Sequence, residues 1–192
     1  MRSIAIIGNG PSALHGQNGA LIDSCEVVVR FNHFRVNSDW SPQIGTKTTV
    51  WGVNYGLILK GLEDLWPGPG IRPHTVVYAP LIVRNEYHWH KCWRDVENWP
   101  ESTYLCPRWV AELAQTYLTG VDGFASTGFL AIVHYALNAE PGDEIYLHGF
   151  DHFLGQKHHY CDEERFRKQH DAWVEADTVR KFIEEGLVTK SS

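Results

Sequence analysis

The chain has 192 residues, the length of one domain, and its 43% hydrophobic and 21% charged residues exclude a disordered, collagen-like or low-complexity protein. Seventeen Lys and Arg against 23 Asp and Glu give a net charge of −6, which excludes a dedicated nucleic-acid binder but allows a small anionic ligand held locally. The apolar run Ile4-Ala5-Ile6-Ile7 ends at Gly8, too early for a signal peptide, and no stretch reaches bilayer length, so no transmembrane segment is expected.

Residues 3–7 form a β-branched run that stops at Gly8-Asn9-Gly10-Pro11-Ser12, the pattern of a buried strand entering a turn, and a helix is expected from about Ser12. Residues 26–31 and 47–53 read as the second and third strands, each bounded by polar or glycine-bearing segments. Pro67-Gly68-Pro69-Gly70 breaks regular structure, and residues 74–79 are a fourth strand. Residues 84–100 are dense in Trp and His with no clean period, which leaves helix and loop both open. Residues 102–106 suggest a strand and 108–118 a helix; 126–138 read as a helix with Ser126 or Thr127 at its cap, ended by Pro141-Gly142. The last strand falls at 144–150 and the last helix at 171–185. This alternation predicts an α/β sandwich with a mostly parallel sheet, and the absence of repeats or linkers predicts a single domain over residues 1–192.

Gly8-Asn9-Gly10-Pro11-Ser12-Ala13 fits the permissive dinucleotide fingerprint G-x-G-x-x-A between a strand and a helix. The acidic side chain that should close the second strand on a ribose hydroxyl is missing, because that strand ends Arg30-Phe31-Asn32. Glycines used only for a tight turn would explain the segment equally well.

The turn has company. The run from Ile4 to Ser12, then Gly19-Ala20-Leu21-Ile22-Asp23, Val28-Val29-Arg30-Phe31-Asn32 and Ile44-Gly45-Thr46-Lys47-Thr48-Thr49 resembles the large sialyl motif of the sialyltransferases, glycosyltransferase family 29. Ser126-Thr127-Gly128 with residues 143–150 is similar to the family's small motif. His159-Tyr160-Cys161-Asp162 is similar to its third motif, and His170 with Glu175 to its very small motif. The four occur in the family's order from residue 4 to residue 175.

The resemblance implies a Rossmann-like three-layer sandwich, the GT-A-like variant of the sialyltransferases. It also implies an inverting, metal-independent transfer of sialic acid from its CMP ester to a hydroxyl of a glycan or glycolipid, with no cofactor. Ser126, Thr127 and Gly128, opening a helix, would offer hydroxyls, N–H groups and the positive helix end to the leaving phosphate. An ordinary N-cap is the bland alternative. His170 would be the general base that takes the acceptor's proton, since an imidazole with a reference pKa of ~6.5 suits neutral pH. His159 would neutralise the leaving phosphate, with Tyr160 and Glu175 in supporting roles. Asn9, Gly10 and Asn32 at the ends of the first two strands would contact the nucleotide. Trp89, Trp93, Trp99 and Trp109 could stack acceptor sugars or belong to the core, so the acceptor site stays open.

One departure shapes the rest. The animal enzymes join large and small motifs by a disulfide, but here the first position is about Ile4 and residues 126–150 hold no cysteine. With Cys25, Cys92, Cys106 and Cys161 forming no Cys-x-x-Cys pair, a cytoplasmic protein, or one peripheral to a membrane, is expected. No Asp-x-Asp pair exists to hold a divalent ion. Three alternatives compete: a CMP-Kdo-type transferase, a non-catalytic CMP- or glycan-binding module, and an NAD(P)-dependent Rossmann oxidoreductase.

Overall fold

The computed structural model describes residues 1–58, 66–68, 73–79, 91–92, 103–118, 124–151 and 171–190. Seven strands lie in one sheet: β1 (Ser3–Ile7), β2 (Val27–Phe31), β3 (Val50–Asn54), β4 (His74–Tyr78), β5 (Thr103–Leu105), β6 (Glu144–His148) and β7 (Thr189–Lys190). Their order is β5-β4-β3-β2-β1-β6-β7, and every pairing is parallel. A parallel sheet must be covered on both faces, and this explains why Ile4, Ala5, Ile6 and Ile7 of the central strand are all apolar and all buried.

Three helices cover one face: α4 (Arg108–Tyr117), α5 (Thr127–Leu137) and α6 (Ala172–Glu184). Ile4, Ile6, Val29, Phe31 and Val76 pack there with Val110, Phe129, Leu130, Ile132, Val133 and Phe182. α5 lies over the middle of the sheet, so it is apolar around most of its circumference instead of along one stripe. The opposite face pairs Ala5, Ile7 and Val28 with Ile22 and Cys25, at the end of α1 (Gly19–Ser24). Phe34, Trp51, Val53, Tyr55 and Val77 make a second cluster there, near α2 (Ser41–Ile44) and α3 (Tyr55–Ile58).

The elements expected within the described residues are present, with local differences; α2 and α3 are short helices that the pattern does not predict, and the Trp- and His-dense stretch 84–100 lies outside the described residues except at 91–92. The helix anticipated from Ser12 is a single 3-10 turn, Pro11–Leu14, because Gly16 takes φ +76° and the α-helix restarts only at Gly19. The third strand begins at Val50 instead of Lys47, since the Asp23 carboxylate captures the N–H groups of Thr46 and Lys47, each at 2.8 Å, and holds them in a loop. β7 was not foreseen; two residues are too few to carry a period.

Buried Arg30 braces the same loop from β2, donating to the carbonyls of Lys47 at 3.1 Å and Ile44 at 2.5 Å over the Phe34 ring. Asp143, at the entrance to β6, accepts from the Arg2 backbone at 2.7 Å and from its Nε at 2.9 Å, which pins the start of β1 to the start of β6 and holds the Asp143 carboxyl well below its ordinary range. Cys25, Cys92 and Cys106 are buried and in no disulfide among the described residues. Among the described residues no helix is long and apolar enough to cross a membrane.

Candidate functional site

The chain lays down β1 to β5 toward one edge, then returns to place β6 on the other side of β1. That reversal opens a crevice at the carboxyl ends of β1 and β6, the place where open parallel sheets take ligands. The loops leaving the two strands are stitched together. Gly8 N–H donates to the His148 carbonyl at 2.7 Å and Gly10 N–H to the Gly149 carbonyl at 2.9 Å. A Cβ on Gly8 would strike the Gly149 carbonyl, and Gly149 itself sits at φ +72° with Ala13 Cβ only 2.6 Å from where its own Cβ would lie. Gly149→Ala is therefore expected to lower the unfolding free energy by about 2–3 kcal/mol in urea titration. Gly186→Ala, at φ +73° with open space around it, should cost only about 1 kcal/mol.

The turn after β1 is not built as a pyrophosphate cradle. Gly10 N–H is engaged by Gly149, Ala13 N–H by the Gly10 carbonyl, and Ser12 N–H donates to Asp151 Oδ2 at 2.9 Å. A carboxylate lies where the dinucleotide fingerprint would place a phosphate, and Arg30 is buried on carbonyls instead of reaching a 2′-phosphate. The oxidoreductase reading loses both of its anchors.

An asparagine stands at or just past the end of three neighbouring strands: Asn9 two residues beyond β1, Asn32 directly after β2, and Asn54 as the last residue of β3. Asn9 Nδ2 donates to the Phe31 carbonyl at 3.2 Å, which leaves its Oδ1 without a partner among the described residues. Asn32 takes the left-handed conformation, φ +46°, held by Trp51 Nε1 on its carbonyl at 2.9 Å and by Asn54 N–H on its Oδ1 at 2.8 Å. Its Nδ2 is left as a donor, and such a conformation in a residue other than glycine is uncommon enough to mark a site. Asn54 turns its Oδ1 to Gly56 N–H at 2.7 Å and its Nδ2 to Thr127 Oγ1 at 3.3 Å, so it ties β3 to the start of α5.

An α-helix begins with N–H groups that have no partner within it. In α5 the assignment of each is definite. Ser126 caps the helix, its Oγ accepting from Phe129 N–H at 3.1 Å. Glu175 of α6 grips Ser126 twice: Oε1 accepts from the Ser126 N–H at 2.7 Å and Oε2 from the Ser126 hydroxyl at 2.7 Å. The N–H groups of Thr127 and Gly128 remain, with no partner among the described residues, in a helix end that lies beside Asn54 and the Phe150 ring. Two such donors at the positive end of an eleven-residue helix suit an anion. The Ser126 hydroxyl serves the cap and Glu175, so it shapes this turn instead of pointing a proton into the crevice. Glu175 is 1% exposed, and burial pushes its carboxyl up to about 7 in spite of the two Ser126 donors, with nearby Asp171 adding to the rise. Asp171 caps α6 by accepting from Val174 N–H at 3.1 Å.

The structure thus brings Asn9, Gly10, Asn32, Ser126, Thr127, Gly128 and Glu175 to one end of the sheet. His159, Tyr160 and His170 lie outside the described residues, as do Trp89, Trp93 and Trp99. Trp109 is exposed on α4. Sequence reading missed Asn54 and Asp151. The signal for Asn54 was its repetition of Asn9 and Asn32 at the end of a strand; for Asp151, which adjoins the last expected strand, no local signal existed.

Fold and site together define a Rossmann-like α/β protein with an anion-suited helix end at its switch point. A sequence model described as glycosyltransferase family 29 (sialyltransferase) matches residues 1–76. The chain is 26% identical over 200 residues to the CMP-N-acetylneuraminate-beta-galactosamide-alpha-2,3-sialyltransferase 1 of Pan troglodytes, covering 93% of this chain and 55% of that protein. Both matches are likenesses to sialyltransferases, the first confined to residues 1–76. The chain spans about half the length of that curated relative. In fold it is similar to a mammalian sialyltransferase solved with Gal-beta-1-3GalNAc-ortho-nitrophenol (TM-score 0.70, 18% identity, 99% of this chain and 69% of that one). It is similar also to the sialyltransferase CstII of Campylobacter jejuni solved with cytidine-5′-monophosphate (TM-score 0.65, 17% identity, 99% of this chain and 79% of that one).

Proposed function

We propose that this protein is a CMP-sugar-dependent glycosyltransferase that moves sialic acid, or a related 2-keto sugar acid, from its CMP ester to a glycan hydroxyl. The observation that carries the reading is the pair of N–H groups of Thr127 and Gly128 that have no partner among the described residues, left over after Glu175 and Ser126 have taken the other donors of that helix end. They would hold the phosphate of the donor and, as it leaves, the negative charge that develops on it. Asn9 Oδ1 and Asn32 Nδ2, open toward the same strand ends, would contact the nucleoside. His159 would add a donor to the leaving phosphate. His170, which immediately precedes the cap of α6, would remove the acceptor's proton as it attacks, with inversion at the anomeric carbon. Tyr160 would support His159.

The CMP and the glycan bound in the solved relatives support a nucleotide-sugar donor and a glycan acceptor. The reaction in this reading needs no metal, and the buried cysteines Cys25, Cys92 and Cys106, in no disulfide among the described residues, agree with a cytoplasmic or membrane-peripheral setting.

A thermal-shift panel of CMP, CDP, UMP, UDP, GDP and NAD, with and without EDTA, tests the reading first. At about 100 times its dissociation constant a ligand adds ~2.7 kcal/mol, enough to raise the midpoint by several degrees. CMP and CDP should do so with EDTA present, and transfer from CMP-sialic acid or CMP-Kdo to a lactose-type acceptor should follow. A rise with NAD alone would overturn the reading.

A further inference from the structure

The acidic side chain missing from the end of β2 has a counterpart elsewhere in the fold. Asp151 leaves β6 directly beside β1, and its Oδ2 is fixed by Ser12 N–H at 2.9 Å. Gly10 lies against it, so close that a Cβ there would be 2.8 Å from the Asp151 carboxyl carbon. The carboxylate is therefore oriented, and its second oxygen has no partner among the described residues. Asp151 follows Phe150, whose ring lies against Gly128 at the anion-suited end of α5. The crevice thus carries donors at one point and, about one residue away along the β6 loop, a fixed acceptor.

A nucleoside 5′-phosphate has the matching polarity, with an anion at one end of the ribose and two hydroxyl donors at the other. Resting on the CMP-sugar reading, we infer that Asp151 accepts hydrogen bonds from the vicinal hydroxyls of the donor's ribose and selects ribonucleotides over deoxyribonucleotides. It does from β6 what a dinucleotide-binding fold does from the end of its second strand. The transferred sugar carries a hydroxyl pair too, so the experiment separates the two sources.

Binding of CMP, 2′-deoxy-CMP, 3′-deoxy-CMP and CMP-sialic acid to the full chain, wild type and Asp151→Asn, would be measured by calorimetry. An oriented acceptor facing an analogue that lacks its hydroxyl discriminates against it, so wild type should bind CMP about tenfold more tightly than either deoxynucleotide. Asp151→Asn should lose about tenfold for CMP, keep its affinity for 2′-deoxy-CMP, and bring the ratio near one. Equal binding of CMP and both deoxynucleotides by wild type would overturn the inference without any variant, as would an undiminished preference in Asp151→Asn. A variant that weakens CMP-sialic acid but not CMP would assign the carboxylate to the sugar and overturn it as well. If the asparagine variant does not fold, Asp151→Ser, which can still accept from Ser12 N–H, is read in the same way. No binding of CMP to wild type would overturn the CMP-sugar reading itself, an outcome distinct from those three.

Discussion

Glu175→Ala is expected to lower the unfolding free energy by about 3–5 kcal/mol and to weaken CMP binding at the same time. The carboxylate is buried and its two oxygens accept from two donors of one residue, the N–H and hydroxyl of Ser126, each at 2.7 Å. Truncation strands both donors in the interior at roughly 1–3 kcal/mol apiece and leaves a void as well. The cap bond from Phe129 N–H would lose its orientation, and with it the Thr127–Gly128 donor pair. Urea unfolding and CMP calorimetry read the two effects. Loss of stability with unchanged CMP affinity would detach Glu175 from the phosphate site.

The same carboxyl has an unusual pH signature. Its pKa is raised to about 7 when folded from 4.5, chiefly by burial. Between those values the folded protein binds a proton that the unfolded chain does not, so stability falls as pH rises from about 4.5 to about 7. The loss amounts to at most on the order of 3 kcal/mol. Glu175→Gln can accept from Ser126 N–H and donate to its hydroxyl, which mimics the protonated acid. That variant should fold and flatten stability across the window. A wild type whose stability climbs over the same window would contradict this account.

His170→Ala is expected to abolish transfer while CMP affinity stays within a few fold. Removing a general base costs about 10²–10⁴ in turnover, whereas the donor's phosphate and nucleoside rest on groups elsewhere, at Thr127, Gly128, Asn9 and Asn32. Single-turnover transfer and equilibrium CMP binding separate the two quantities. Near-normal turnover in the variant would remove His170 from the role of base, and a parallel collapse of CMP binding would make it a nucleotide contact.

Part of the local structure at the candidate site is legible in the sequence alone. The Ser126 cap shows in the sequence because a serine followed by an apolar helix needs only Phe129, three residues on, to complete its bond. Asn9 and Asn32 stand out because each lies within two residues after the end of an apolar, β-branched run. Asn54 escaped because the third strand runs one residue further than its pattern, and Asn54 is that last residue. The residues from Ile4 to Thr49 that carry the resemblance have two kinds of work: Asn9 and Asn32 lie at the carboxyl ends of β1 and β2, while Asp23, Arg30 and Thr49 hold the loop before β3 in place.

By itself the sequence determined the class of fold, the positions of six of the seven strands among the described residues, and the cap of α5 to within Ser126 or Thr127, because burial periodicity, turn chemistry and capping act over a few residues. Only the tertiary structure decided that Glu175 holds Ser126 across 49 positions and that Asp151 reaches Ser12 across 139. Those contacts depend on the placement of β6 beside β1 and of α6 over α5, an order that every strand's local pattern permits and none encodes. The donors and acceptors that face the crevice are what remains once these long-range bonds have formed, so the ligand chemistry of the site becomes legible only in the folded chain.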